Sequence, residues 1–577
     1  MTTSLIDTET VLGIDVGTVN TRALLFDVVE GQYSFIAAGV APTTLEAPYH
    51  DPAEGMIRAV RQLQEVTGRD LLEPQGRLII PVQADGSGVD RMVVTYSTGQ
   101  PLRMVVAGLL ADVSLESAQR LAATTYGQVV ESIGLNDRRR PESQLDAILR
   151  AGPDLVLFAG GTEGGASRSL GRIVDLMTLV CRVLPQEKRP EIIYAGNQAL
   201  STRITEILEK WTPVRTAPNI RPTIDVEDLG QAEGVLSQAV TRVRMRQLPS
   251  LAVMASFCSV PPLPTGFAFG RVIRYLSKVY GSSKGVLGVD LGAGSTVMAA
   301  GQAGRLNLLV SSIGMGQGAA RLIEQSTLED IVRWLPLHVP DDVVSDYLWQ
   351  KTVHPASLPA SQDTLAIEQA LARQALRLAR QQFLARYPDP QVQLYDPILA
   401  SGATINQAAS PVQSLLMLLD GLEPVGITNL VLDQNNLTPT LGAISEFLPL
   451  LPVQVLDSGA FLRLATVISP ISSAKYGTPI LEARLEYEGG GNDTRLEVRQ
   501  GGLVALPLQQ GQVAILHLKC LRDTRVDPRS SKKNVKYKII GGSCGAVIDG
   551  RGRPLELPED ASRRRDQLKK WAMALGG

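Results

Sequence analysis

Two carboxylates stand in nearly the same setting in this chain. Val11 to Thr21 reads V-L-G-I-D-V-G-T-V-N-T, and Val286 to Thr296 reads V-L-G-V-D-L-G-A-G-S-T. Asp15 and Asp290 hold equivalent places, 275 positions apart. In each copy an aliphatic run surrounds the Asp, which predicts a buried strand with the carboxylate at its end. Gly17 and Gly292 then allow a sharp turn and a close approach of backbone to a ligand. Thr18, Asn20, Thr21, Gly294, Ser295 and Thr296 set short hydroxyl or amide groups and free backbone N–H groups around that turn. Such a turn wraps phosphate oxygens. A carboxylate beside it suits Mg2+ held through water, because Mg2+ keeps most of its waters and takes few carboxylates. Asp15 and Asp290 are therefore the candidate catalytic and metal residues. Their recurrence argues for two related half-structures, each giving one loop to one site.

The elements that would position these loops are legible around them. Arg22 to Val28 (R-A-L-L-F-D-V) reads as a second strand. The unit is then strand-turn-strand, unlike the strand-loop-helix of a P-loop. A third strand is expected at Tyr33–Val40 and a helix at Glu54–Thr67. Strands follow at L-I-I-P-V, M-V-V-T-Y and L-R-M-V-V within 77–110, then a helix over Leu115–Ile133.

A second Gly-rich loop follows at Asp154 to Gly165, D-L-V-L-F-A-G-G-T-E-G-G. Four apolar residues predict a strand, and a helix is expected from about Ser167 to Leu184. Gly160, Gly161 and Thr162 open that helix, a place where anions bind, and Glu163 adds a carboxylate. A tight turn with a solvated Glu is the other account. Alternating strands and helices from 154 to about 245 predict a parallel or mixed sheet with helices on its faces.

Gly314 to Ala319 has the G-x-G-x-x-A shape of a dinucleotide fingerprint. That site needs a second strand ending in an acidic residue about 20 positions on. Pro336 and Pro340 spoil such a strand, so a close-packed turn is expected instead. A long helix is expected at Thr364–Tyr387 with its Arg residues on a solvated face. Pro397–Gly402 reads as a strand ending in a turn, Val412–Leu419 as a helix, and Leu430–Ile444 as a strand then a helix. From about 475 the apolar and polar residues alternate, with G-G-G-N and G-G between, which predicts a small β-domain. A basic helix at Glu559–Leu575 closes the chain, with Trp571 and Met573 opposite its charges.

Composition bounds the rest. The 577 residues are enough for more than one domain. A net charge of −2 gives no electrostatic case for nucleic acid or an anionic membrane. No apolar run is long enough to span a bilayer, because prolines break the nearest one at Leu248–Gly270. The first ten residues have no basic region followed by an apolar core, so no signal peptide is expected. Cysteines at 181, 258, 520 and 544 have no metal spacing and read as free thiols, which predicts a cytoplasmic protein. None of the four His lies in D-x-H-x-x-G, so the chain is not expected to bind cobalamin through a His.

The paired D-x-G-x-x-x-T hairpins resemble the phosphate motifs of the actin, sugar-kinase and heat-shock-chaperone ATPase superfamily. Within it, L-R-M-V-V-A-G-L (Leu102–Leu109), A-G-G-T-E-G-G, Y-A-G-N and N-I-R-P are similar to the MutL-type accessory protein of glutamate mutase. That resemblance implies a two-lobed α/β actin-like ATPase fold with mixed sheets: a first lobe over 1–284 with an inserted α/β segment, a second lobe over 285–470, and a β-rich domain over 471–577. It implies ATP and Mg2+ between the lobes, with Asp15 and Asp290 holding the metal and the attacking water. It assigns the adenosine turn to Ser401, Gly402 and Ala403, and makes Glu163 the candidate to orient water. The partner it implies is an adenosylcobalamin-dependent mutase. The chain departs from the pattern in four places. Arg22 replaces a Lys among the nucleotide contacts, Ala293 replaces a Gly, Val297 replaces an Asp, and Ala403 replaces a Gly. Loss of a carboxylate at 297 bears on hydrolysis more than on binding. A small-molecule kinase and a non-hydrolysing scaffold are the competing expectations.

Overall fold

The structure, a computed structural model, describes residues 9–165, 167–280, 283–388, 394–488 and 493–576. Residues 1–8 of the leader reading and the G-G-G-N turn at 489–492 lie outside the described residues.

The repeat in the sequence is a repeat in topology. In the first half, strands Val11–Val16, Asn20–Val29 and Gln32–Pro42 form an antiparallel meander. Arg91–Tyr96 lies parallel to the first strand on its other side, and Leu263–Pro264 completes the sheet. In the second half Gly285–Leu291, Thr296–Gln302 and Arg305–Ser311 form the same meander. Tyr395–Ser401 and Gly426–Leu432 follow in the same parallel order. The fold is thus the two-lobed actin-like ATPase arrangement. The second sheet continues through Leu462–Ser469, then takes in two late strands, Ala546–Asp549 and Leu503–Leu506. The alternating segments between and around them form a separate four-stranded antiparallel sheet.

Each half sends a helix across to the other. Thr265–Val279 leaves the first sheet and packs on the second, while Leu437–Ile444 leaves the second and packs on the first. The third residue of each repeat copy explains itself here. A Cβ at Gly13 would stand 2.1 Å from Thr440 Cγ2, and one at Gly288 would stand 2.5 Å from Phe269 Cε1. Where the two helices cross, a Cβ at Gly442 would stand 1.9 Å from the Ala268 carbonyl oxygen. Backbone cannot move aside as a side chain does. Gly442→Ala is expected to cost at least about 1–3 kcal/mol, read as a lower urea midpoint with an unchanged m-value.

Between Arg91–Tyr96 and Leu263–Pro264 the chain inserts a five-stranded, all-parallel sheet. Its strands are Leu102–Ala107, Gly127–Ile133, Leu155–Phe158, Glu191–Tyr194 and Val214–Thr216, with the second on the outer side of the first. Helices cover both faces.

Four expectations need correction. Leu78–Val82 is not a strand; it holds one isolated bridge, Leu72 to Leu78, and Pro81 has no N–H to give a ladder. The helix expected over Leu115–Ile133 ends at Ala122, and Gly127–Ile133 is an edge strand whose exposed Gln128 and Val129 blur the period of two. The long helix, Gln362–Arg386, does not keep all its Arg in solvent. Arg373 is buried, with Nε 2.7 Å from Asp420 Oδ2 on the helix Pro411–Leu422. In the last helix, Ala561–Ala574, Trp571 is buried as expected, but Met573 is 70% exposed.

No helix among the described residues is long and apolar enough to cross a membrane.

Candidate nucleotide site

The two hairpins bring Asp15 and Asp290 to the floor of one cavity of about 610 Å3. Their registers match residue for residue. Asp15 lies opposite Arg22 on the antiparallel side and Thr95 on the parallel side. Asp290 lies opposite Val297 and Ser401. The parallel neighbour gives each carboxylate a hydroxyl. Thr95 Oγ1 donates to Asp15 Oδ1 at 2.7 Å, and Ser401 Oγ donates to Asp290 Oδ1 at 2.7 Å. Asp15 also accepts from Thr265 Oγ1 at 3.1 Å and, on Oδ2, from Asn436 Nδ2 at 3.0 Å.

The antiparallel neighbour separates the two. Directly opposed residues share a face of the sheet. Arg22 therefore reaches Asp15, with Nη1 3.8 Å from Oδ2. Val297 in the corresponding place is buried in the core and gives Asp290 no charge. Burial pushes the Asp290 carboxyl up to about 6; the Ser401 hydroxyl pulls down, Asp15 pushes up, Arg22 pulls down and Asp433 pushes up more weakly. Asp433, fully buried at the end of Gly426–Leu432, is also raised by burial, although Leu437 N, Thr438 N and Thr438 Oγ1 donate to it.

The turns repeat as well. Gly17 N donates to Asn20 O at 3.0 Å, and Gly292 N donates to Ser295 O at 3.0 Å. The loops face each other across the cavity, since a Cβ at Gly294 would stand 2.8 Å from Thr18 Oγ1. Thr18, Asn20, Arg22, Gly292, Gly294 and Ser295 line the cavity. Thr21 and Thr296 do not. Thr21 Oγ1 pairs with Thr43 Oγ1 at 2.9 Å, and Thr296 Oγ1 donates to Ile313 O at 2.8 Å. Both hydroxyls are buried behind their loops and hold them from the rear.

The segment with the dinucleotide-like spacing braces the second loop. Met315 N donates to Gly292 O, and Gly316 N and Gly318 N donate to Ala293 O, at 2.8–3.0 Å. Residues 328–332 are helical, so the second strand a dinucleotide site needs is not there.

Gly402 and Ala403 line the cavity, and Ser401 lies behind them on Asp290. Beyond them the walls are Pro355, Leu358, Pro359, Leu365 and Ala408, an apolar slot next to a polar loop pair. Lys351 and Glu368 border this slot as a buried pair, with Nζ 3.1 Å from Oε1. Lys351 Nζ also donates to Ser357 O at 2.6 Å, which ties down the segment forming the slot.

Gly160, Gly161, Thr162 and Glu163 are elsewhere. They follow the third strand of the inserted sheet, and none lines the cavity. Glu163 Oε1 accepts from Asn219 Nδ2 at 2.7 Å, and Gln198 N donates to the same carboxylate at 3.3 Å. The A-G-G-T-E-G-G, Y-A-G-N and N-I-R-P pieces thus meet one another at the ends of the inserted strands, apart from Asp15 and Asp290.

Sequence reading missed Thr95, Thr265, Asn436, Lys351, Glu368 and Tyr126. Thr95 carried a signal, a hydroxyl at the end of M-V-V-T-Y, parallel in kind to Ser401. Asn436, in the left-handed region at φ +57, follows the V-L-D strand end. Lys351 and Glu368 look like any exposed helix charges, and Tyr126 sits in a segment read as helix.

Matched hairpins on a two-lobed scaffold, with one cavity between them, define the class of actin-like ATPase folds. The chain belongs to the MutL protein family, which it matches over residues 11–459. It is also similar to several solved structures. One is an ATP-dependent caprolactamase from Pseudomonas jessenii, at 12% identity over 85% of this chain and 81% of that one, with a TM-score of 0.34. Another is (R)-2-hydroxyglutaryl-CoA dehydratase component A from Acidaminococcus fermentans, at 9% over 75% and 96%, with a TM-score of 0.25. A third is a nucleotide-free diol dehydratase-reactivating factor, at 11% over 76% and 99%, with a TM-score of 0.30. No curated protein matches the chain.

Proposed function

We propose that this chain is a cytoplasmic ATP-binding accessory protein that reactivates or maintains an adenosylcobalamin-dependent mutase of the glutamate mutase type. The observation that supports nucleotide binding is the pair of in-register hairpins facing each other beside an apolar slot in one cavity. Phosphates suit the loop pair, and a purine with its ribose suits the slot beyond Gly402 and Ala403. The partner rests on membership of the family.

The donor set fits Mg2+. Asp290 faces Val297 instead of a cation, and the Asn436 side-chain oxygen is buried without a partner on the same wall. Mg2+ bound there would offset the charge of the phosphates. Asp15 and Asp290 would hold it, and Thr95 and Ser401 fix the two carboxylates in place. Thr18, Ser295 and the loop N–H groups bind phosphate oxygens, and Arg22 adds a positive charge beside them. Closure of the lobes on ATP and reopening afterwards would act on the partner.

The test is recovery of activity by a mutase that has inactivated during turnover. Addition of this protein with Mg-ATP is expected to restore activity, and addition with Asp15→Ala is not. Equal recovery with both proteins, or none with either, contradicts the proposal.

A further inference from the structure

The inserted sheet is joined to the nucleotide cavity at its entry and its exit. It enters after Thr95 and Ser97 and leaves before Thr265; Thr95 and Thr265 are hydroxyl donors to Asp15, and Ser97 lines the cavity. One of its residues goes further. Tyr126 lies just before the strand Gly127–Ile133 and reaches into the cavity. It lines that cavity together with Ser295 of the second loop, Asp15 and Asp290, and a Cβ at Gly266 would stand 3.8 Å from its hydroxyl. The ring packs against the core that joins the two halves.

The turn carrying Tyr126 touches both the inserted sheet and the second lobe. Leu102 N, at the start of the first inserted strand, donates to Tyr126 O at 3.1 Å. Val310 N, in the second lobe, donates to Ala123 O at 2.8 Å. A displacement of the tyrosine is therefore shared with the first two strands of the insert and with the second-lobe meander.

Resting on the nucleotide reading above, we infer that Tyr126 is a positioning residue that distinguishes ATP from ADP and passes the difference to the inserted sheet. A terminal phosphate oxygen is a stronger acceptor than a serine hydroxyl, because a charged partner roughly doubles the strength of a hydrogen bond. With ATP the phenol donates to the terminal phosphate. With ADP it has no such acceptor.

The experiment is Tyr126→Phe, which keeps the ring and removes the hydroxyl. Affinities for Mg-ATP and Mg-ADP are measured by calorimetry on full-length wild type and variant. The preference for ATP over ADP is expected to fall about tenfold or more, the worth of one hydrogen bond to a charged group, with ADP affinity unchanged. A merely structural role would weaken both nucleotides together. Amide exchange on wild type gives a readout independent of the variant. Residues 102–107 and 123–133 are expected to exchange differently with a non-hydrolysable ATP analogue and with ADP. An unchanged ATP preference in the variant, or identical exchange in the two states, overturns this inference and leaves the nucleotide reading standing. Wild type that binds neither nucleotide overturns both.

Discussion

Asp290→Asn is expected to lower Mg-ATP affinity by at least about a hundredfold while raising the stability of the nucleotide-free protein. The two effects share one cause. Asp290 lies opposite Val297, so its charge is held at the cavity floor without the kind of partner Arg22 gives Asp15. Burial lifts its carboxyl from 3.8 to about 6. The folded protein then holds a proton at Asp290 more readily than the unfolded chain does. Stability from this group is fully present below the unfolded value and is withdrawn as pH rises through about 6. Roughly 1.4 kcal/mol is lost for each pH unit between those two values. Asn removes the penalty, so the variant's melting temperature at pH 7 should exceed that of wild type, and the gap should close near pH 4. The same charge is what a cation needs. In wild type, Mg-ATP affinity should fall as pH drops through 6, where the proton competes for the carboxylate. A variant that binds Mg-ATP as tightly as wild type, or melts lower at pH 7, would contradict this account of the site.

Arg551→Ala is expected to cost about 3–5 kcal/mol of stability. Arg551 is wholly buried, with Nη1 2.6 Å from Asp420 and Nε 2.8 Å from Asp549. Asp420 is shared with Arg373 of the long helix, and Asp549 with Arg553 at 2.7 Å. The guanidinium also lies 4.8 Å from the centre of the Trp571 ring, whose Nε1 donates to Gly501 O. This network fastens the last strand and last helix to the second lobe. Removal of the arginine leaves two buried carboxylates short of a cation, and it is this uncompensated charge that is expensive. Asp549 is held well below the usual carboxylate range by Arg551 and Arg553, against its burial. Its contribution is present above the unfolded carboxyl value near 4 and is lost as pH falls further, so wild type should lose more stability than the variant below pH 4. Urea denaturation at pH 7 and at pH 3 checks both statements.

The fold was legible where the sequence repeats. V-L-G-x-D-x-G carries its own strand, carboxylate and turn, so both halves and the two loops carrying Asp15 and Asp290 could be named from residues alone. Register could not. That Arg22 faces Asp15 while Val297 faces Asp290 depends on antiparallel pairing, and it sets the difference between two carboxylates that look identical in sequence. Edge position hid the strand Gly127–Ile133, because exposed polar residues erased its alternation, and with it went Tyr126. Burial by distant partners hid the rest. Arg373, Lys351 and Glu368 read as solvated helix charges until another helix is packed against them. Glu163 shows the opposite error. A Gly-rich loop before a helix looks like an anion site anywhere, and only the sheet topology separates it from the cavity between the lobes.

The central claim is that Asp15 and Asp290 together hold one Mg-nucleotide between the two halves. Calorimetric titration of the full-length protein with Mg-ATP, alongside Asp15→Ala and with NAD as a second titrant, tests it most directly. The account predicts one ATP bound per chain, no heat with Asp15→Ala, and none with NAD. Absence of ATP binding by the wild type, or binding that survives Asp15→Ala unchanged, would contradict it.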